Sequence, residues 1–120
     1  MNLQDLPQVS VPLPWQGAVW SRLQEQLAAG QLPHALLLAG PAGTGKERLA
    51  LALARFLLCH QPAAGHNCGE CAACRYSQSG SHGDFRWLQP EGASKVIRID
   101  PVREAVSFIF RTAGFGLRKV

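Results

Sequence analysis

Seven residues, Gly40-Pro41-Ala42-Gly43-Thr44-Gly45-Lys46, constrain the fold of this chain more than any others. They follow a short apolar run, His34 to Ala39 (HALLLA). They precede a stretch in which Leu49, Leu53, Phe56 and Leu57 recur at helical spacing. A G-x-x-x-x-G-K turn between a buried strand and an amphipathic helix is a phosphate-binding loop. The glycines let backbone N–H groups curl around an anion, the helix N-terminus adds positive potential, and Lys46 reaches the terminal phosphates. The expected class is therefore α/β, a P-loop fold built on parallel strands.

Position 47 breaks the pattern. It is Glu, where a working loop of this kind carries the Ser or Thr whose hydroxyl holds Mg²⁺. A carboxylate can ligate Mg²⁺, but beside a polyanion it adds unfavourable charge. The expectation is a loop of residues Gly40 to Glu47 that binds ATP weakly or not at all and hydrolyses none. A second acidic metal partner is also missing. In Val96-Ile97-Arg98-Ile99-Asp100, Arg98 interrupts the apolar run. Pro101 makes Asp100 read as a helix cap, with Pro101 at the first helical position.

The four cysteines, Cys59, Cys68, Cys71 and Cys74, fall within one short segment spaced C-x8-C-x2-C-x2-C. Zinc favours four thiolates in a tetrahedron, and C-x2-C steps bring two sulfurs to one ion. Disulfide pairing, with three possible connectivities, and a His60 or His66 substituting for one cysteine are the alternatives. The preferred reading is one structural Zn²⁺ per chain. Arg75 is placed to offset the negative charge of the thiolates.

The remaining pattern predicts further elements. Residues 1–14, with Pro7, Pro12 and Pro14, read as an extended lead-in. Trp15 to Ala29 reads as a helix with Val19, Leu23 and Leu27 on one stripe, stopped by Gly30. The P-loop helix is expected from about Gly45 to Cys59, with Arg48 and Arg55 off its buried stripe. A short helix is expected near Cys71 to Ser79. Strands are expected at Phe85 to Leu88 and Val96 to Ile99, around the turn Pro90-Glu91-Gly92. A last helix is expected to bury Val102, Ala105, Val106 and Ile109 and to end at Gly114 and Gly116.

The chain has 120 residues and a net charge of +4, with arginines scattered rather than bunched. That scatter argues against a dedicated nucleic-acid patch. No apolar run approaches the roughly 20 residues a membrane span needs, and no secretory leader is visible, so the expected location is cytoplasmic. The chain reads as the first part of a longer protein.

A P-loop whose helix ends in the first of four zinc cysteines resembles the clamp-loader subunits of bacterial DNA polymerase III. The resemblance runs from about Trp15 to Val120. Pro14-Trp15-Gln16 and Leu32-Pro33-His34-Ala35-Leu36-Leu37 are similar to the family's entry into its first strand. Lys46-Glu47 favours the delta-prime branch over gamma and tau, which keep Lys-Thr. So does the series Gly80-Ser81-His82-Gly83-Asp84-Phe85, Pro90-Glu91 and Ile99-Asp100-Pro101-Val102-Arg103-Glu104, although Gly83 stands where that branch has Pro. The resemblance implies an AAA+ fold with a zinc-binding insertion at 59–74. It implies a largely non-hydrolysing subunit of a hetero-oligomer with delta and gamma/tau. The complex would load the sliding clamp onto primed DNA within a DNA-directed DNA polymerase holoenzyme. The arginine acting in trans, the lid and the collar are expected beyond residue 120. The rival readings are a gamma/tau-type ATPase and a zinc-dependent DNA-binding module.

Overall fold

The computed structural model describes residues 2–63, 65–111, 114 and 118–120. Four α-helices run in chain order: α1 (Gly17–Ala28), α2 (Lys46–Leu58), α3 (Ala72–Ser79) and α4 (Ile99–Ile109). Short 3-10 turns at Leu3–Asp5 and Pro14–Gln16 precede α1.

The expected first helix is present, but its buried stripe is turned by one residue. Trp20 and Leu23 face inward and Val19 is exposed. The indole of Trp20 decides the rotation. It meets the Phe56 ring edge-on at 5.8 Å and donates its Nε1–H to the Gly65 carbonyl. Gly30 stops the helix as expected. It sits at φ 68, its N–H donates to the Leu27 carbonyl, and the Gln31 N–H donates to the Gln26 carbonyl. That pair of bonds is the Schellman arrangement, which satisfies carbonyls the helix end leaves open.

Helix α2 is the centre of the molecule and is buried on two sides. Leu49, Ala52 and Leu53 pack with Trp20 and Leu23, with Leu32, Leu38, Phe56 and Leu57 at the margin. Leu51, Ala54 and Leu58 pack with Phe85, flanked by Leu3, Leu6, Trp87 and Val120. Each fully buried Leu contributes roughly 1.5–3 kcal/mol. Arg55 does not lie off the buried surface as the sequence suggested. It is buried, with its Nη1 donating to the Pro7 carbonyl and to Ser10 Oγ.

The expected strands are absent among the described residues, where the only bridge is the isolated antiparallel pair Ala63–His66. Residues 34–39 keep a strand's alternation: Leu36 and Leu38 line an apolar groove with Leu53, Leu57 and Phe108, while Leu37 is 92% exposed. A strand also needs a hydrogen-bonded neighbour, and none of the described segments pairs with this one. Around Phe85 half of such a ladder does form. The Arg86 N–H donates to the Val120 carbonyl and the Val120 N–H to the Asp84 carbonyl, both at 2.9 Å, as in a parallel pair.

Residues 96–98 are extended and exposed, and Ile99 belongs to α4. Arg98 holds the N-cap position, so Asp100 and Pro101 fall inside the first turn. Both are still well placed there: a carboxylate suits the positive end of the helix, and the first N–H groups have no intrahelical partner to lose. The expected stripe of α4 is largely uncovered, because Val102, Val106 and Ile109 are exposed and Phe108 is the buried residue. Arg86 and Lys119 lie over the Phe108 ring at 4.3 and 4.7 Å. The expected stop at Gly116 lies outside the described residues, as does Leu117. No helix of the described residues is long and apolar enough to cross a membrane.

Candidate functional site

The four cysteines come from three places that folding brings together. Cys59 caps the C-terminus of α2, Cys68 lies in the connecting loop, Cys71 is the N-cap of α3, and Cys74 is in its first turn. Helix α3 is seated by Ala73 and Ser77, both buried. The four Sγ atoms all lie within 4.8 Å of one another, with Cys59–Cys71 and Cys68–Cys74 at 3.9 Å. Four sulfurs at the zinc–thiolate distance in a tetrahedron stand about 3.8 Å apart, so the cluster fits one ion. No disulfide joins any of them, and neither His60 nor His66 is part of the cluster.

The surroundings suit thiolates. The Cys68 N–H donates to Cys59 Sγ at 3.3 Å. The Glu70 and Cys71 N–H groups donate to Cys68 Sγ, and the Gly69 N–H and Asn67 Nδ2 donate to Cys74 Sγ. Burial pushes the Cys59 thiol up to about 12. Burial also pushes Cys71 upward, but backbone hydrogen bonds from His60 and Cys74 and the sulfurs of Cys74 and Cys68 outweigh it and bring it down to about 6. Burial likewise raises the Cys74 thiol. A divalent cation favours the thiolate at each sulfur it binds. Arg75, the expected counter-charge, is exposed. The arginine that feels the charge of Cys74 is Arg55, whose pKa burial lowers and Cys74 raises. Sequence reasoning missed Arg55, although its place one helical turn before Cys59 was the available signal.

The glycine-rich loop Gly40 to Lys46 lies at the other end of α2. Gly45 is its N-cap, in the left-handed region at φ 81, and a Cβ there would lie 2.3 Å from Leu13 Cδ1. Both facts require glycine. The segment before α1 braces the loop from behind. Trp15 Nε1 donates to the Thr44 carbonyl, and Gln16 Nε2 donates to the carbonyls of Thr44 and Gly45. Thr44 Oγ1 donates to the Pro41 carbonyl, and Lys46 Nζ is folded back onto the Gly40 carbonyl at 2.6 Å. Gly40, Pro41, Ala42 and Glu47 are exposed; Gly43 is exposed and Lys46 half-buried. Gly43 and Gly45 both take left-handed φ, at 80 and 81, and the carboxylate of Glu47 is exposed. Asp100 is an exposed first-turn residue of α4.

A family model described as DNA polymerase III, delta subunit, matches residues 15–120. The chain belongs to this family. It is 50% identical over 107 residues to DNA polymerase III subunit delta' of Pseudomonas aeruginosa, a match covering 89% of this chain and 32% of that protein. It is 36% identical over 107 residues to the same-named subunit of Escherichia coli, with the same coverage. It is 34% identical over 86 residues to DNA polymerase III subunit tau of Bacillus subtilis, covering 72% of this chain and 15% of that protein. The chain therefore spans about a third of the length of the delta' relatives it matches.

Proposed function

We propose that this chain is the N-terminal part of a clamp-loader subunit of the delta-prime kind. In this reading it is a AAA+ structural partner that turns over no ATP itself. It would join delta and gamma/tau in a complex that loads the sliding clamp onto primed DNA in the bacterial cytoplasm. The observation that carries the reading is the 50% identity to a delta' subunit over 89% of the chain. The solvated Glu47 in the Mg²⁺-ligand position supports the non-hydrolysing role. Cys59, Cys68, Cys71 and Cys74 would hold one Zn²⁺. Such an ion, with no open coordination position, supplies a structural cross-link between the end of α2 and the start of α3. Residues Gly40 to Lys46 would bind nucleotide weakly, or serve only to position α2 and α1.

The test is reconstitution of the full-length protein with purified delta and gamma/tau. Co-elution on size exclusion and a requirement for the subunit in clamp loading are the expected results. Failure to co-elute at physiological salt would sink the assignment. The gamma/tau-type ATPase is the second reading, favoured by the similarity to tau and by the preserved shape of the loop. Phosphate release by the isolated full-length protein, abolished by Lys46→Ala, would decide for it.

A further inference from the structure

Residues 7–10 are held by Asn67, Arg55 and Gly69, and two of these, Asn67 and Gly69, donate to Cys74 Sγ. Asn67, fully buried, accepts from the Ser10 N–H through Oδ1 at 2.8 Å. Its Nδ2 donates to the Gln8 carbonyl at 2.8 Å and to Cys74 Sγ at 3.4 Å. Arg55 Nη1 donates to the Pro7 carbonyl at 2.8 Å and to Ser10 Oγ at 2.7 Å. Gly69, whose N–H donates to Cys74 Sγ, has no room for a side chain, because a Cβ would lie 2.6 Å from Val9 Cγ2. Four consecutive residues are thus met by three groups, two of which donate to one sulfur while the third, Arg55, feels its charge.

The charge balance of this seat is open. Arg55 is 1% exposed, and its Nε and Nη2 have no hydrogen-bond partner among the described residues. No carboxylate stands within ion-pair distance of it among the described residues. A buried guanidinium without an opposite charge is strongly unfavourable. Four thiolates around one divalent ion carry two net negative charges, and they would supply what the arginine lacks.

We propose that Arg55 is the counter-cation of the metal centre and Asn67 its outer hydrogen-bond donor, and that through them metal binding and docking of the Pro7–Ser10 strap reinforce each other. This rests on the reading of the four cysteines as a zinc site. Both residues are positioning residues: they touch the sulfurs' surroundings and the strap, not the ion. By linkage, whatever factor the metal adds to strap docking the strap adds to metal affinity.

The experiment uses the full-length protein, purified with its metal. Zinc affinity is measured by competition with a chromophoric chelator, and strap docking by hydrogen exchange at the Ser10 amide, with and without zinc. Ser10→Pro removes both the N–H given to Asn67 and the hydroxyl that meets Arg55, and alters no ligand. It is expected to weaken zinc about tenfold, and Arg55→Met by about 10–100-fold, the range for outer-shell partners of metal ligands. Arg55→Lys, which keeps the charge, is expected to recover part of the loss. Zinc removal is expected to raise Ser10 exchange by about the factor that Ser10→Pro costs the metal. If Arg55→Met does not fold, Ser10→Pro and the exchange of the unaltered protein still decide. Unchanged zinc affinity in Ser10→Pro, with Ser10 exchange indifferent to zinc, overturns the proposal and leaves the zinc site standing. Protein that binds no zinc at all overturns the zinc site itself.

Discussion

Leu58→Ala is the sharpest test of how the core supports the metal centre. Leu58 is 1% exposed and packs with Leu51, Ala54 and Phe85 on the second face of α2. The next residue is Cys59, the C-cap of α2, so this packing anchors the helix end that carries the first sulfur. Losing the transfer energy of a fully buried Leu removes roughly 1.5–3 kcal/mol. The cavity left among ring and aliphatic neighbours brings the total to about 2–5 kcal/mol. At roughly 3–5 °C per kcal/mol for a chain of this size, the melting temperature should fall by about 6–25 °C. Leu37→Ala is the matched control: the same atoms are removed from a side chain 92% exposed, and the change should stay within about 0.5 kcal/mol. Urea unfolding of both zinc-loaded variants, followed by far-UV circular dichroism, gives the two free energies. Equal losses for the two variants would refute the packing argument.

Cys71→Ser should release the metal, and hydrogen exchange should rise first across residues 59–79, where the buried side chains among the described residues are Cys59, Asn67, Ala73, Cys74 and Ser77 and none is a large apolar one; full zinc retention in that variant would remove Cys71 from the ligand set. Glu47→Thr should strengthen Mg²⁺-dependent ATP binding, read by titration calorimetry, by restoring the hydroxyl and removing a negative charge; tight Mg-ATP binding by the unaltered protein would show the carboxylate to be harmless. Burial lowers the His82 pKa against the opposing pull of Asp84, so the folded chain takes up that proton less readily than the unfolded chain. The stability it contributes is complete above the unfolded value near 6.5 and is lost as pH falls through and below it. Melting temperature should therefore drop between about pH 7 and pH 5 at constant zinc content, and His82→Asn, which keeps an acceptor for the Asp84 N–H, should flatten that drop.

What the sequence made legible was local. Gly30 stops α1, Gly45 opens α2 and the cysteine spacing brings four sulfurs together, because each depends on a few neighbouring residues and their backbone geometry. What it hid was non-local. His34 to Ala39 has the alternation of a strand, but a strand exists through its neighbour, which no described segment supplies. Arg55 reads as a break in an apolar run, because the carbonyl and hydroxyl that receive it belong to Pro7 and Ser10, more than forty positions earlier. The stripe of α4 has the right period, yet period alone does not say whether anything covers it. The one-residue turn of the α1 stripe came from Trp20, whose size and N–H outweighed the simple spacing of the aliphatic residues.

Helix α2 begins at Lys46 of the glycine-rich loop and ends against Cys59 of the cysteine cluster. At 1.5 Å per residue its 13 residues set the two sites about 20 Å apart on one rigid rod. The rod also sets their relative phase. Each residue advances a helix by about 100°, so adding or removing a single one between Lys46 and Cys59 would swing the first sulfur away from the other three or twist the loop off its brace on Trp15 and Gln16. Substitutions along α2 are graded in their effects, whereas changes in its length are not. This helix should tolerate neither insertion nor deletion, and divergence in length should be confined to the loops at either end.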